Sequence, residues 1–197
     1  GKDILGFPLT HTNNGWLNFA GDGSGEYVNA GSSSPLDNVF DGGGTIEAWI
    51  KPDTLGDGVR ILDKYGSSVG WIFFIDSLSS GTCNLIFDVT FSGDNGTWTT
   101  SSREITMGSW NHVLVTYDSA SASNDALLYV NGLVKSTNDP TPTGTYSSDA
   151  GNNLLIGNRS GLDREFDGQL DEVRVYGISL SATEVLKNYK HGLSKHS

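Results

Sequence analysis

Near its C-terminus the chain reads Phe166, Asp167, Gly168, Gln169, Leu170, Asp171, Glu172, Val173, Arg174, Val175 and Tyr176, followed by Leu180, Ser181 and Glu184. Leu170, Val173 and Val175 reach one face of a strand only if an extra residue is inserted near Asp171 and Glu172, which predicts a β-bulge. A bulge leaves a backbone carbonyl unpaired, and here that carbonyl stands beside a carboxylate, a set of hard oxygens that suits calcium. Ser181 with Glu184 three residues later predicts a reciprocally capped helix start. A strand therefore runs into a helix, expected from about Ala182 to Lys190 and closing with His191 and Gly192.

The remaining elements read as strands. Ile46, Ala48 and Ile50 share one face, opposite Glu47, Trp49 and Lys51, and the first face is core. Between Gly70 and Asp76 both faces are apolar, which marks a central strand. Leu85, Phe87, Val89 and Phe91 form a core face opposite Ile86, Asp88 and Thr90, and Val113, Val115 and Tyr117 form another inward set. Asn131 and Gly132 predict a tight two-residue hairpin. Thr137 to Asn153, with two prolines and two glycines, must cross the surface as a long connection.

Short strands with one late helix indicate two antiparallel sheets packed face to face. At 197 residues the chain falls in the range of one all-β domain spanning 1–197. The 26 glycines and 18% charged residues suit a fold of strands and turns with a hydroxyl- and amide-rich surface. A formal net charge of −11 repels phosphate backbones and anionic membranes, which argues against nucleic acid as a partner. No apolar run approaches membrane-spanning length, so membrane insertion is not expected. The sequence starts at Gly1 and Lys2 without a signal peptide, as an excised domain or a mature product would. Cys83 is the only cysteine, so no intrachain disulfide forms, and a packed, inert thiol is expected.

Five segments, in order, resemble a laminin-G-like, concanavalin A-like jelly roll: Leu17 through Gly25 to Val28, Thr45 to Pro52, Trp110 to Tyr117 with Leu128 to Gly132, Leu154 to Gly157, and Phe166 to Tyr176. The resemblance implies an all-β, two-sheet antiparallel sandwich with one short C-terminal helix, on an extracellular or cell-surface protein. It also implies a calcium ion stapling the first strand's turn to the closing strand, through Asp22, the carbonyls around Gly23 and Gly25, and Asp171. This chain departs from the pattern at Ala20, which follows Phe19 where many relatives place Asp. The alternative is an ordinary Asx turn at Asp22, with Asp171 accepting backbone amides at the bulge.

Sugar rings stack their C–H faces on aromatics, while their hydroxyls need fixed donors and acceptors. Trp49 shares a face with Glu47 and Lys51, Trp71 and Trp98 lie on or next to neighbouring strands, and Arg159 and Arg164 sit in a loop that could overhang that face. The competing reading packs Trp49 in the core under a loop. Exposed tryptophans in a groove favour a glycan or polysaccharide ligand; buried ones favour a protein-interaction, adhesion or spacer role.

No catalytic residues are assigned. Asp171 and Glu172 are adjacent rather than paired on one face as a retaining glycosidase requires. The glucanase pattern E-x-D-x-x-E is absent, as are a nucleophile elbow, a phosphate loop and zinc-ligand spacing. Of His11, His112, His191 and His196, only His112 lies mid-chain, and it is a base only if it faces the concave side. The expected function is a non-catalytic carbohydrate-binding module with a structural calcium, a glycan-active enzyme of the same fold being the third reading.

Overall fold

The computed structural model describes residues 15–138 and 140–197; His11 lies outside them. The strands are β1 (Leu17–Ala20), β2 (Val28–Gly31), β3 (Gly44–Pro52), β4 (Val59–Gly66), β5 (Val69–Ser79), β6 (Thr82–Val89), β7 (Gly96–Thr99), β8 (Ile105–Thr106), β9 (Asn111–Tyr117), β10 (Leu127–Val130), β11 (Leu133–Val134), β12 (Leu154–Ile156) and β13 (Asp167–Tyr176), followed by helix α1 (Ala182–Gly192). They form two antiparallel sheets: one of six strands in the order β1-β13-β3-β9-β10-β11, and one of seven, six of them in the order β2-β12-β4-β5-β6-β7 and the seventh, β8, paired to β6.

The inner faces meet where the alternation puts them. Ile46, Ala48 and Ile50 of β3 and Val113 and Val115 of β9 pack against Trp71, Phe73 and Ile75 of β5 and Leu85, Phe87 and Val89 of β6. Phe40, from the connection into β3, fills the centre, with its ring 5.5 Å from Trp71, 5.0 Å from Phe87 and 6.0 Å from Tyr117. Full burial of each such side chain is worth roughly 1.5–3 kcal/mol. Cys83 is free and buried, and burial pushes its thiol up to about 12, as an inert thiol requires.

The bulge is present. Asp171 pairs with Trp49 and Arg174 with Glu47, so Glu172 and Val173 together oppose Ala48, and Glu172 takes a φ of 48°. Asn131 and Gly132 both adopt left-handed backbone, at φ 53° and 76°, as a tight hairpin with native strand twist requires. The Ser181–Glu184 capping box opens α1, which ends at Gly192, taking in the His191 and Gly192 expected to close it.

The long connection is tied down by a buried cation. Lys64 is fully buried, its Nζ 3.1 Å from the Asp37 carboxylate and 3.2 Å from that of Asp149, and it donates to the carbonyls of Asp149 and Asn152 at 3.0 and 2.8 Å. Burying an ammonium group is tolerable only when it is paired and hydrogen-bonded in this way. Among the described residues no helix is long and apolar enough to cross a membrane.

Candidate functional site

The outward face of the six-stranded sheet is closed. Helix α1 lies across it, with Val185 and Leu180 packed on Leu114 and Tyr129. Beneath the helix Glu47 is wholly buried, and Arg174 Nη1 (2.6 Å), Tyr176 Oη (2.8 Å) and Asn188 Nδ2 (3.0 Å) donate to its carboxylate. His112 Nε2 stands 3.3 Å away. Burial alone drives the Glu47 carboxyl upward, but His112, Arg174, Asn188 and Tyr176 outweigh it and hold the group at about 2. His112 is fully buried there, so it faces no open surface as a base would have to.

Trp49 belongs to the same covered face. It is outward on β3, as alternation requires, but only 1% exposed, stacked between Tyr189 of α1 (5.7 Å) and His196 of the following tail (4.3 Å, interplanar 10°). The approach is so close that a Cβ on Gly192 would lie 2.3 Å from Trp49 Nε1. Trp71 and Trp98 are fully buried between the sheets, the latter donating from Nε1 to Asp125 at 3.1 Å. The expected tryptophan platform is thereby corrected: none of the three presents a ring face to solvent. Trp71 and Trp98 sit in phase with the core, and a helix covers Trp49.

The expected calcium donors are not assembled either. Ala20 pairs with Asp167 and Leu17 with Leu170, so Asp22 lies past one end of the β1–β13 ladder and Asp171 past the other, with a ladder about 10 Å long between them. Asp22 is exposed and accepts from the Ser24 amide at 2.9 Å, an Asx turn that holds its carboxyl below the ordinary range. At the turn holding Gly23 and Gly25, the amides of Gly23 and Glu26 each donate at 3.0 Å, one to each oxygen of Glu165. Asp171 is occupied by Lys195 Nζ (2.7 Å), His196 Nε2 (2.8 Å) and the Glu172 amide (2.8 Å). Burial raises the Asp171 carboxyl, and these donors more than offset it, leaving it lowered. These residues do not fit a shared calcium ion. Among the described residues no group of three or more His, Cys, Asp or Glu side chains is gathered to hold a metal.

The outward face of the seven-stranded sheet carries a groove of about 460 Å³, with Arg60, Asp63 and Ile72 buried at its floor. Its floor is a row in register across three strands, Asp63 of β4, Ile72 of β5 and Asp88 of β6. The two carboxylates thus flank Ile72, with backbones about 10 Å apart. Arg60 and Tyr65 of β4 extend the row, and Asn95, Arg159, Ser160 and Gly161 wall it from two loops.

Each charged group in the groove is fixed. Arg60 donates to Asp63 at 3.1 Å and to the Gly58 carbonyl, and its guanidinium stacks 4.9 Å over the Phe74 ring. Arg159 grips Asp163 through two bonds of 2.6 Å. Asp63 also accepts from the Tyr65 amide at 3.0 Å, and Asp88 from Thr97 Oγ1 at 2.8 Å. Burial pushes both carboxyls above the ordinary range. Asp63 is buried with both oxygens engaged, so the half-buried Asp88 is the carboxylate best placed to accept from a ligand hydroxyl, and a partly desolvated acceptor bonds it more strongly than a solvated one. Of the two arginines expected at the site, Arg159 lines the groove, whereas Arg164 is turned aside onto Asp57. Arg60, Asp63, Tyr65 and Asp88 escaped the sequence reading, although Asp88, between Phe87 and Val89, is a polar residue on the outward phase of an apolar strand.

Fold and groove together define a concanavalin A-like jelly roll with a polar cleft on one sheet. A family model described as the concanavalin A-like lectin/glucanases superfamily matches residues 22–186, and the chain belongs to this superfamily. Among solved structures it is similar to the binding domain of Paraclostridial Mosquitocidal Protein 1, at 19% identity and a TM-score of 0.65, over 89% of this chain and 43% of that one. It also resembles the native heptameric SAP-like pentraxin from Limulus polyphemus, at 20% identity and 0.55, over 74% and 69%. A third is the botulinum neurotoxin serotype G binding domain, at 17% and 0.64, over 91% and 42%. The chain spans about two fifths of the two toxin domains, and at these identities the likeness is one of fold. No curated protein sequence matches the chain.

Proposed function

We propose that this chain is a non-catalytic carbohydrate-binding module of an extracellular or cell-surface protein, with the sugar held in the groove of the seven-stranded sheet. The buried tryptophans withdraw the original support for a sugar ligand. The observation that now carries the reading is the Asp63–Ile72–Asp88 row, with Arg60 and Arg159 beside it. It offers immobilised donors and acceptors around an apolar floor, the combination a polyhydroxylated ring requires. Superfamily membership and the binding domains among similar structures agree with it. Asp63 has both oxygens engaged by Arg60 and the Tyr65 amide, and so serves as a fixed acceptor rather than a proton shuttle.

The test is a glycan and polysaccharide array probed with the wild type and with Asp88→Asn and Arg159→Ala. Binding that weakens at least tenfold in both variants, with folding intact, supports the groove. Unchanged binding in both places the ligand elsewhere, and absence of binding by the wild type turns the assignment to a protein-interaction or spacer role.

A further inference from the structure

A second pocket, of about 480 Å³, opens on the far side of the molecule between α1 and β13. It is lined by Arg174, Tyr176, Lys187, Asn188, Lys190 and His191, and no carboxylate is among them. That is unusual in a chain of net charge −11.

Lys187, Lys190 and His191 fall at helical spacings of three and four, so one face of α1 presents all three. Lys187 and Lys190 are exposed and form no ion pair with any described residue, whereas Lys135 and Lys195 are paired with Glu104 and Asp171. The opposite wall is rigid: Arg174, Tyr176 and Asn188 are all locked onto the buried Glu47 carboxylate. Arg174 has its own charge answered by Glu47 and Glu172. The pocket's cations without an ion-pair partner are therefore the two helix lysines, Lys187 having only the field of Glu184 one turn before it, and they stand beside a wall of fixed polar groups.

We propose that this pocket binds the anionic group of an acidic polysaccharide, a carboxylate or a sulfate, at a site separate from the groove on the other sheet. The volume suits one sugar unit with its charged substituent. The overall negative charge does not forbid it, because at physiological ionic strength the field of distant carboxylates is screened within about 8 Å. A polymer then contributes by repeating the same weak contact along its length.

The experiment measures binding of dextran sulfate, polygalacturonate and neutral dextran to the wild type and to the double variant Lys187→Glu, Lys190→Glu. A control double variant, Lys51→Glu with Arg103→Glu, removes the same charge outside the pocket. Expected are binding of at least one acidic polymer but not of neutral dextran, a tenfold or greater loss in the helix variant, and less than a threefold change in the control. The polymer retained identifies sulfate or carboxylate as the group recognised. Equal losses in both double variants, or wild-type binding no stronger than to neutral dextran, overturns the proposal. Asp88→Asn should leave acidic-polymer binding intact, so failure here is distinguishable from failure of the groove.

Discussion

The two outward faces of this sandwich follow the same strand periodicity and are finished differently. On the six-stranded sheet the outward residues Glu47, Trp49 and His112 are as buried as the core, because α1 and the tail after it lie over them. On the seven-stranded sheet the outward Asp63 and Ile72 are also buried, at 2% and 8% exposure, but with the half-buried Asp88 they form the floor of a groove that no helix covers. Alternation assigns a residue to a face; only the packing of later chain decides whether that face meets solvent. The residues under α1 therefore carry stability and the groove is left for sugar recognition, and substitutions at Glu47 and at Asp88 should separate accordingly.

The largest effect is expected at Glu47. Glu47→Gln keeps the size but removes the charge that Arg174, Tyr176 and Asn188 converge on, leaving a buried network short of its anion. A loss of about 3 kcal/mol in urea unfolding is expected, typical of a broken buried pair. The folded-state value of about 2 lies below the ordinary 4.5, so the stabilisation is complete above pH 4.5 and disappears as the pH falls through about 2. The wild type should lose stability across that window, and Glu47→Gln should lack this share of the loss. A parallel decline in both proteins would mean the carboxylate does not anchor the covered face.

The tail comes next. His196 is nearly buried, with Nδ1 2.8 Å from the Gly192 carbonyl and Nε2 2.8 Å from Asp171. Both ring nitrogens thus lie within hydrogen-bond distance of an acceptor, and the ring is stacked on Trp49 and edge-on to Trp110 at 4.7 Å. His196→Ala should cost about 1–3 kcal/mol and shift tryptophan emission to the red as Trp49 and Trp110 gain solvent. An unshifted spectrum would show the cover over Trp49 is held by α1 alone.

The legible parts of the sequence were those encoded locally. The bulge at Asp171 and Glu172, the Asn131–Gly132 turn and the Ser181 capping box each depend on residues within a few positions of one another, and each formed. The burial of Trp49 depends on Gly192 and His196, some 140 residues away, and no periodicity contains that contact. Trp71 belonged to a strand apolar on both faces, so pattern alone could not choose its side. The groove was missed because Asp63 and Asp88 lie on different strands and meet through a register with β5 that the sequence does not print. The helix was foreseen, but not the sheet it would cover.

On the open face the expected effect on stability is small and the effect on binding large. Asp88 is half-buried with one hydrogen bond, from Thr97, so Asp88→Asn should change unfolding by about 0.5 kcal/mol while weakening sugar retention at least tenfold. A variant that unfolds instead would join this face to the covered one and dissolve the contrast between them.

The smallest effect is expected where a metal staple was anticipated. Asp22 is exposed, makes an Asx turn with Ser24 and lies at the opposite end of the β1–β13 ladder from Asp171, so Asp22→Ala should cost no more than about 0.5 kcal/mol. Asp171 is held by Lys195 and His196, and its substitution by Ala should destabilise by about 1–3 kcal/mol, equally in calcium and in chelator. Melting curves of the wild type and both variants under the two conditions decide the matter. A chelator-dependent drop in the wild type that vanishes in Asp171→Ala would mean the tail contact yields to an ion. A drop that vanishes only in Asp22→Ala would place a cation at the turn, where the amides now converge on Glu165. Three pairs of superimposable curves would leave the tail, and no ion, as the staple of the closing strand.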